Sequence, residues 1–315
     1  HKIQVLFSIF KSFFILNLKL KKKEIDVLII STEHRFLLKM YSKLCKKQQC
    51  KSVFIFDEYP EVIRYNSSKK LVCKVRNSYN KALKDVTAFV AIINKINDFY
   101  NKDLQKPHLI FSTITDVSKF TRIFSNEERN QSLCYMGSLN LQKDNVDLIV
   151  RAFSLIAPKY PDLHFDIYGE SLDRDYKLLS LLIDELHIRH RVHLKGSVSF
   201  DKVPTILSSS KILVSSQVNS MRIQGGLSTK LGEYLASGTP VLLSDVGDIR
   251  NQVKNEKHLY LVPPNDVEAY AEKLLYILEH YNEALKVAQQ GRDYILKNYS
   301  HIAMGKKLHN FLKNI

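Results

Sequence analysis

From Asp26 onward, short apolar runs alternate with stretches in which apolar residues recur at helical spacing. DVLII at 26–30 leads into a helical pattern from Leu37 to Leu44, SVFIF at 52–56 into one near Leu71 to Leu83, and TAFVAII at 87–93 into a short strand at Leu109 to Phe111. This alternation predicts parallel strand–helix units, because each buried strand must be followed by a helix that covers the sheet. The polar stretch 125–132 reads as a linker. A second series follows: LCYMG at 133–137, then a helix whose Val146, Ile149, Val150, Phe153 and Ile156 form one apolar stripe. It continues through LHFDIYG at 163–169, a helix from Leu178 to Leu186, RVHLKG at 191–196, KILVSS at 211–216, VLLS at 241–244 and HLYLV at 258–262. The expected fold is α/β, with two doubly wound Rossmann-like domains facing a cleft. Their expected bounds are 1–124 and 125–315, with the last helix packing back on the first domain.

The N-terminal stretch is a separate question. Ile3, Leu6, Phe7, Phe10, Phe13 and Phe14 follow helical spacing, with Lys19, Lys21, Lys22 and Lys23 behind them. The apolar run is interrupted by Lys11 and falls short of the ~20 residues that span a bilayer. It suits either a helix lying on an anionic membrane or a domain helix packed on a sheet; we expect the second, because a core strand follows directly. The first series opens on a helix and is the shorter of the two, so the chain is expected to be a fragment lacking the opening strand and loop of its first sheet.

Composition narrows the function classes. With 315 residues, 45% hydrophobic and 25% charged, the chain is neither disordered nor multi-spanning. A formal net charge of +15 points to an anionic partner. Nucleic acid is not expected, since the basic residues read as spread along the chain and no nucleic-acid motif accompanies them. Cys45, Cys50, Cys73 and Cys134 lack metal-ligand spacing and read as free thiols in a reducing cytosol.

The most informative segment is QGGLSTKLGEYLASGTPVLLSDVG, from Gln224 to Gly247. Gly225 and Gly226 at a helix start let backbone N–H groups approach a phosphate, Lys230 adds a cation, and Glu233 can accept hydrogen bonds from sugar hydroxyls. Gly238 ends that helix, Pro240 blocks its continuation, and VLLS follows as a doubly buried strand. Ligands in such sheets bind beyond the carboxyl ends of the strands, where Gly137, Gly169, Gly196 and Gly225 all fall.

Together YMGSLNLQKDNVDLIVRAF, YPDLHFDIYGE, RVHLKGSVSFDKVPTIL, GGLSTKLGEYLASGTPVLLSDVGDI and LVPPNDVEAYAEKLLYIL resemble the nucleotide-sugar domain of the retaining GT-B glycosyltransferases, the glycosyl transferases group 1 family. The likeness covers nearly all of the chain from Leu133 onward. DEYPE at Asp57 to Glu61 and FSTITDVSKF at Phe111 to Phe120 resemble that family's acceptor domain in bacterial polysaccharide enzymes. The resemblance implies transfer of a sugar, with retention, from a nucleotide-diphosphate sugar to a surface-glycan or lipid-linked acceptor, in the cytosol at the inner membrane face. It implies no metal and no other cofactor. Glu233 would hold the ribose, Lys143 and Lys230 the diphosphate, and Gly225 and Gly226 the leaving phosphate. Gly137, Ser138, Gly169, Gly196, Gln224 and Leu231 would complete the donor site, with Glu58 and Tyr59 on the acceptor side. The chain departs from the family pattern at four places: Ser138 stands where many members have Arg, Gln224 lies near an expected acid, Leu227 and Ser228 replace a common Phe-Pro pair, and Phe56 replaces a His. The alternatives are a non-catalytic nucleotide- or glycan-binding scaffold, and a GT-B sugar-nucleotide epimerase.

Overall fold

The computed structural model describes residues 2–65, 68–225 and 230–315, with side chains from residue 8 onward. The chain forms two compact units, His1–Ser112 together with Gly305–Ile315, and Thr113–Met304.

The first unit runs α1 (Lys2–Lys21), β1 (Val27–Ile30), α2 (Arg35–Lys47), β2 (Lys51–Phe56), α3 (Glu61–Arg64), α4 (Lys69–Leu83), β3 (Ala88–Ala91), α5 (Asn94–Asn101) and β4 (His108–Ile110). Its four strands are parallel and lie in chain order, β1-β2-β3-β4. Alternation of side chains across the strands divides the core. Phe54, Phe56 and Phe89 cluster with Tyr100 of α5, ring centroids 4.2–6.3 Å apart. Val53, Ala88 and Val90 point the other way and pack with Leu308, Phe311 and Leu312 near the C-terminus. Helix α1 docks through Phe13, Leu16 and Leu20 against Leu28, Leu44 and Cys45, which fits the expectation of a domain helix. The same helix leaves Phe10, Phe14, Ile15 and Leu18 exposed.

The second unit runs β5 (Ser132–Met136), α6 (Leu141–Asp144), α7 (Val146–Ile156), β6 (His164–Tyr168), α8 (Asp173–Glu185), β7 (Val192–Gly196), α9 (Val203–Ser209), β8 (Ile212–Ser215), α10 (Met221–Gln224), α11 (Lys230–Ala236), β9 (Val241–Ser244), α12 (Ile249–Gln252), β10 (Tyr260–Val262), α13 (Val267–Glu279) and α14 (Tyr281–Asn298). Helix α15 (His301–Asn314) follows. The six strands are parallel in the order β10-β9-β8-β5-β6-β7. The chain winds outward from β5 to β7, returns to the other side of β5, and winds outward again to β10. That reversal makes a topological switch point between β5 and β8, the place where such sheets bind ligands.

Arg129, just ahead of β5, is 4% exposed and has no carboxylate partner among the described residues. Its guanidinium donates to the carbonyl oxygens of Ser208, Ser210 and Gly238 and to Thr239 Oγ1, at 2.6–3.1 Å. One side chain thus ties the entry of the central strand to the starts of β8 and β9. Arg129→Met is expected to lower stability by about 3 kcal/mol, since it strands several buried acceptors. Arg129→Lys keeps the charge but loses the planar fork and recovers only part. Urea unfolding of both variants measures this; equal stability of Met and wild type would refute it.

The basic residues are not spread evenly, contrary to the reading of the sequence. The first unit holds 25 Lys and Arg against 9 Asp and Glu, a net charge of +16, and the second holds 22 against 23. The whole positive excess belongs to the first unit.

Candidate functional site

At the carboxyl edge of the second sheet, three glycines lie in a hydrogen-bonded row. Gly137 N–H donates to Tyr168 O at 3.0 Å, and Gly169 N–H to Gly196 O at 2.9 Å. The ends of β5, β6 and β7 are thereby held side by side. The closest approach needs glycine: a Cβ at Gly169, where φ is +139°, would lie 1.7 Å from the Gly137 carbonyl oxygen. The loops after β5 and β8 also meet, with Val218 N–H donating to Lys143 O at 3.4 Å.

Lys230, the first residue of α11, reaches into this corner. Its ammonium donates to Asp144 Oδ1 at 3.1 Å and to the Tyr135 hydroxyl at 2.9 Å, and lies 4.4 Å from the Tyr135 ring centroid. The side chains of Lys230 and Asp144 are 15% and 2% exposed. Burial holds the Lys230 ammonium below its ordinary pKa, Asp144 opposes that shift, and neighbouring Lys143 adds to it. Lys143 sits in α6, whose first turn is capped by Asn140 accepting from Lys143 N–H at 3.1 Å. Its ammonium makes no hydrogen bond or ion pair among the described residues. Two cations therefore share the end of the central strand; among the described residues one is paired and the other makes no hydrogen bond or ion pair.

Glu233 lies one turn beyond Lys230. Leu231, Tyr234 and Leu235 are buried, but the helical turn directs Glu233 outward, where it is exposed. It makes no hydrogen bond among the described residues. Partial desolvation still raises its pKa, with the Lys119 ammonium opposing.

The other expected site residues fall as follows. Ser138 is exposed, and its carbonyl accepts from the Tyr135 hydroxyl at 2.5 Å. Gln224 donates through Nε2 to Asn219 Oδ1 at 3.0 Å. Gly225 has φ −96°, and its N–H donates to Met221 O, so this amide is engaged within its own turn. Gly226, Leu227 and Ser228 lie outside the described residues. The Leu231 side chain is buried in the core with Cys134 and Leu213. In the first unit, Glu58 pairs with Arg64, which also binds Glu33 at 2.6 Å, and the Tyr59 ring packs on Phe99 at 5.3 Å. Asp144 and Tyr135 were not anticipated as site residues; Asp144 directly after Lys143 in a capped turn was the available signal.

Comparison with known proteins supplies the family. Residues 117–294, more than half of the chain, match the family described as glycosyl transferases group 1. The chain belongs to the glycosyl transferases group 1 family. Like this chain, the UDP-N-acetylglucosamine–peptide N-acetylglucosaminyltransferase GtfA subunit of Streptococcus parasanguinis carries related sequence, 24% identical over 201 residues. That alignment takes in 61% of this group 1 chain and 37% of the relative, so the chain spans well under half of that protein. Among solved structures, a glycosyltransferase from Rickettsia africae superposes with a TM-score of 0.75 at 17% identity, covering 98% of this chain and 83% of that one. HepE of Anabaena, solved with UDP and glucose, superposes at 0.72 and 14% identity, covering 95% and 82%. The fold of this group 1 chain is that of the GT-B glycosyltransferases.

Proposed function

We propose that this chain transfers a sugar, with retention of configuration, from a nucleotide-diphosphate sugar to a surface-glycan or lipid-linked acceptor. The observation that carries the reading is the pair of cations, Lys143 and Lys230, at the switch point of a group 1 nucleotide-sugar sheet. Cleaving the sugar–phosphate bond leaves growing negative charge on the departing diphosphate, and fixed cations in a partly dry corner stabilise it. In this reading the two lysines meet that charge without a metal, and the departing phosphate deprotonates the acceptor hydroxyl on the same face of the sugar. The Glu233 carboxylate, which makes no hydrogen bond among the described residues, suits the ribose hydroxyls.

A panel of nucleotide sugars, UDP-sugars first, tests this on the full-length protein by thermal shift and by NMR of the product's anomeric configuration. A true donor at 100 times its dissociation constant adds about 2.7 kcal/mol. Lys143→Ala and Glu233→Ala should each cut kcat/KM about ten- to a hundredfold. Tight binding with no turnover under any acceptor would instead favour the scaffold reading, which Ser138 and the engaged Gly225 amide support.

The acceptor side of the proposal rests on charge. The first unit carries the whole positive excess, and the outward face of α1 interleaves Phe10, Phe14 and Leu18 with Lys11 and Lys21, with Lys22 directly after the helix. No helix among the described residues is long and apolar enough to cross a membrane. A helix of this kind suits the surface of an anionic leaflet, each lysine near it adding about 1 kcal/mol. Sedimentation with vesicles should show binding to phosphatidylserine-containing but not neutral lipid, weakened by salt and by Phe10→Ser with Phe14→Ser. Equal pelleting with both vesicle types would rule out this arrangement.

A further inference from the structure

We propose that Asp144 is a positioning residue for the donor diphosphate: with Tyr135 it holds the Lys230 ammonium against the Gly137 backbone, as the second cation of the site. The inference rests on the donor reading above and deepens it. Lys230 occupies the space that a side chain at position 137 would fill. A Cβ on Gly137 would lie 2.1 Å from Lys230 Cε and 2.7 Å from Nζ. The next residue, Ser138, has no charge to offer, so the cation beside this turn comes from α11 instead.

Three groups fix that cation. Tyr135 donates its hydroxyl proton to Ser138 O, which leaves the phenolic oxygen free to accept from Lys230. Asp144 Oδ1 accepts a second bond, and the carboxylate keeps the mostly buried amine protonated. Lys143, from the same turn as Asp144, pushes the other way. Among the described residues, the charged and titratable groups facing Lys230 are thus Tyr135 from β5 and Lys143 and Asp144 from α6. Removing the carboxylate leaves Lys230 in a dry corner beside another cation. It then sheds its proton at lower pH, which removes the second cation from the diphosphate.

The test uses the full-length protein with Asp144→Asn and Asp144→Glu, each verified as folded by its unfolding midpoint. Donor affinity and kcat/KM are measured with the accepted nucleotide sugar across pH 6.5 to 9, and the Lys230 ammonium is titrated by NMR in the unliganded protein. Asp144→Asn should bind the donor about tenfold more weakly or worse at the alkaline end, with a smaller loss at the acidic end. Asp144→Glu should recover most of the affinity, and Lys230 in Asp144→Asn should titrate at lower pH than in wild type. Parallel pH profiles for wild type and Asp144→Asn, or an unchanged Lys230 titration, would overturn the inference. A wild-type protein that binds no nucleotide sugar would defeat the functional reading instead, while the Lys230 titration still decides whether Asp144 governs this amine.

Discussion

Gly169→Ala is expected to cost at least about 3 kcal/mol of stability and to abolish donor binding. Two separate penalties act at this position. The φ of +139° is one that a residue with a Cβ adopts only under strain, worth about 1–3 kcal/mol. The Cβ itself would sit 1.7 Å from the Gly137 carbonyl oxygen, and that oxygen belongs to backbone, which cannot rotate away. Relief requires parting the ends of β5 and β6, the two strands whose loops form the floor of the site. Gly196→Ala is the control. Gly196 has φ +67° with nothing within 4 Å of the added methyl, so only backbone strain of about 1 kcal/mol applies. Urea unfolding of both variants, alongside nucleotide thermal shift, separates the two penalties. If Gly169→Ala proves no worse than Gly196→Ala, the two loops do not approach as closely as described.

Why this glycine was visible in the sequence, and other features were not, follows from the range of the forces involved. Strands such as 241–244 and 88–91 are buried on both faces, so nothing polar interrupts them and a continuous apolar run reports them directly. Glycines at the ends of such runs mark tight turns in the same local way, which is how Gly137, Gly169 and Gly196 were found together. The partner of a side chain is not local. Asp144 and Lys230 are 86 residues apart and meet only because β5 is the central strand of a sheet whose order reverses beside it. Facing is not local either: the sequence neighbours of Glu233 are core residues, but at 100° per residue adjacency along a helix says little about which way a side chain points. Helix α1 is the ambiguous case. Its apolar residues are numerous enough for two faces, and spacing alone could not say that one face packs on the domain while the other stays open. The charge asymmetry appears only when residues are assigned to units, because Gly305–Ile315 folds with the first 112 residues.

The second large effect concerns Lys230 itself, and here stability and function are expected to part. Lys230→Met keeps the side-chain volume but leaves Asp144 as a carboxylate that is 2% exposed, without its counter-ion and with Oδ2 already unbonded among the described residues. Removing one partner of a buried pair costs about 3–5 kcal/mol, because the remaining charge keeps its desolvation penalty and loses the attraction that offset it. Lys230→Met with Asp144→Asn removes both charges, and the double variant should regain most of that loss. Donor binding should not return with it, since the second cation is still missing. Unfolding free energies for the two single variants and the double variant close a cycle whose coupling should exceed about 1 kcal/mol for residues in contact. Additive losses would show that Asp144 and Lys230 do not pair in solution. Restored donor affinity in the double variant would show that the diphosphate does not depend on Lys230, which would leave Lys143 as the site's cation.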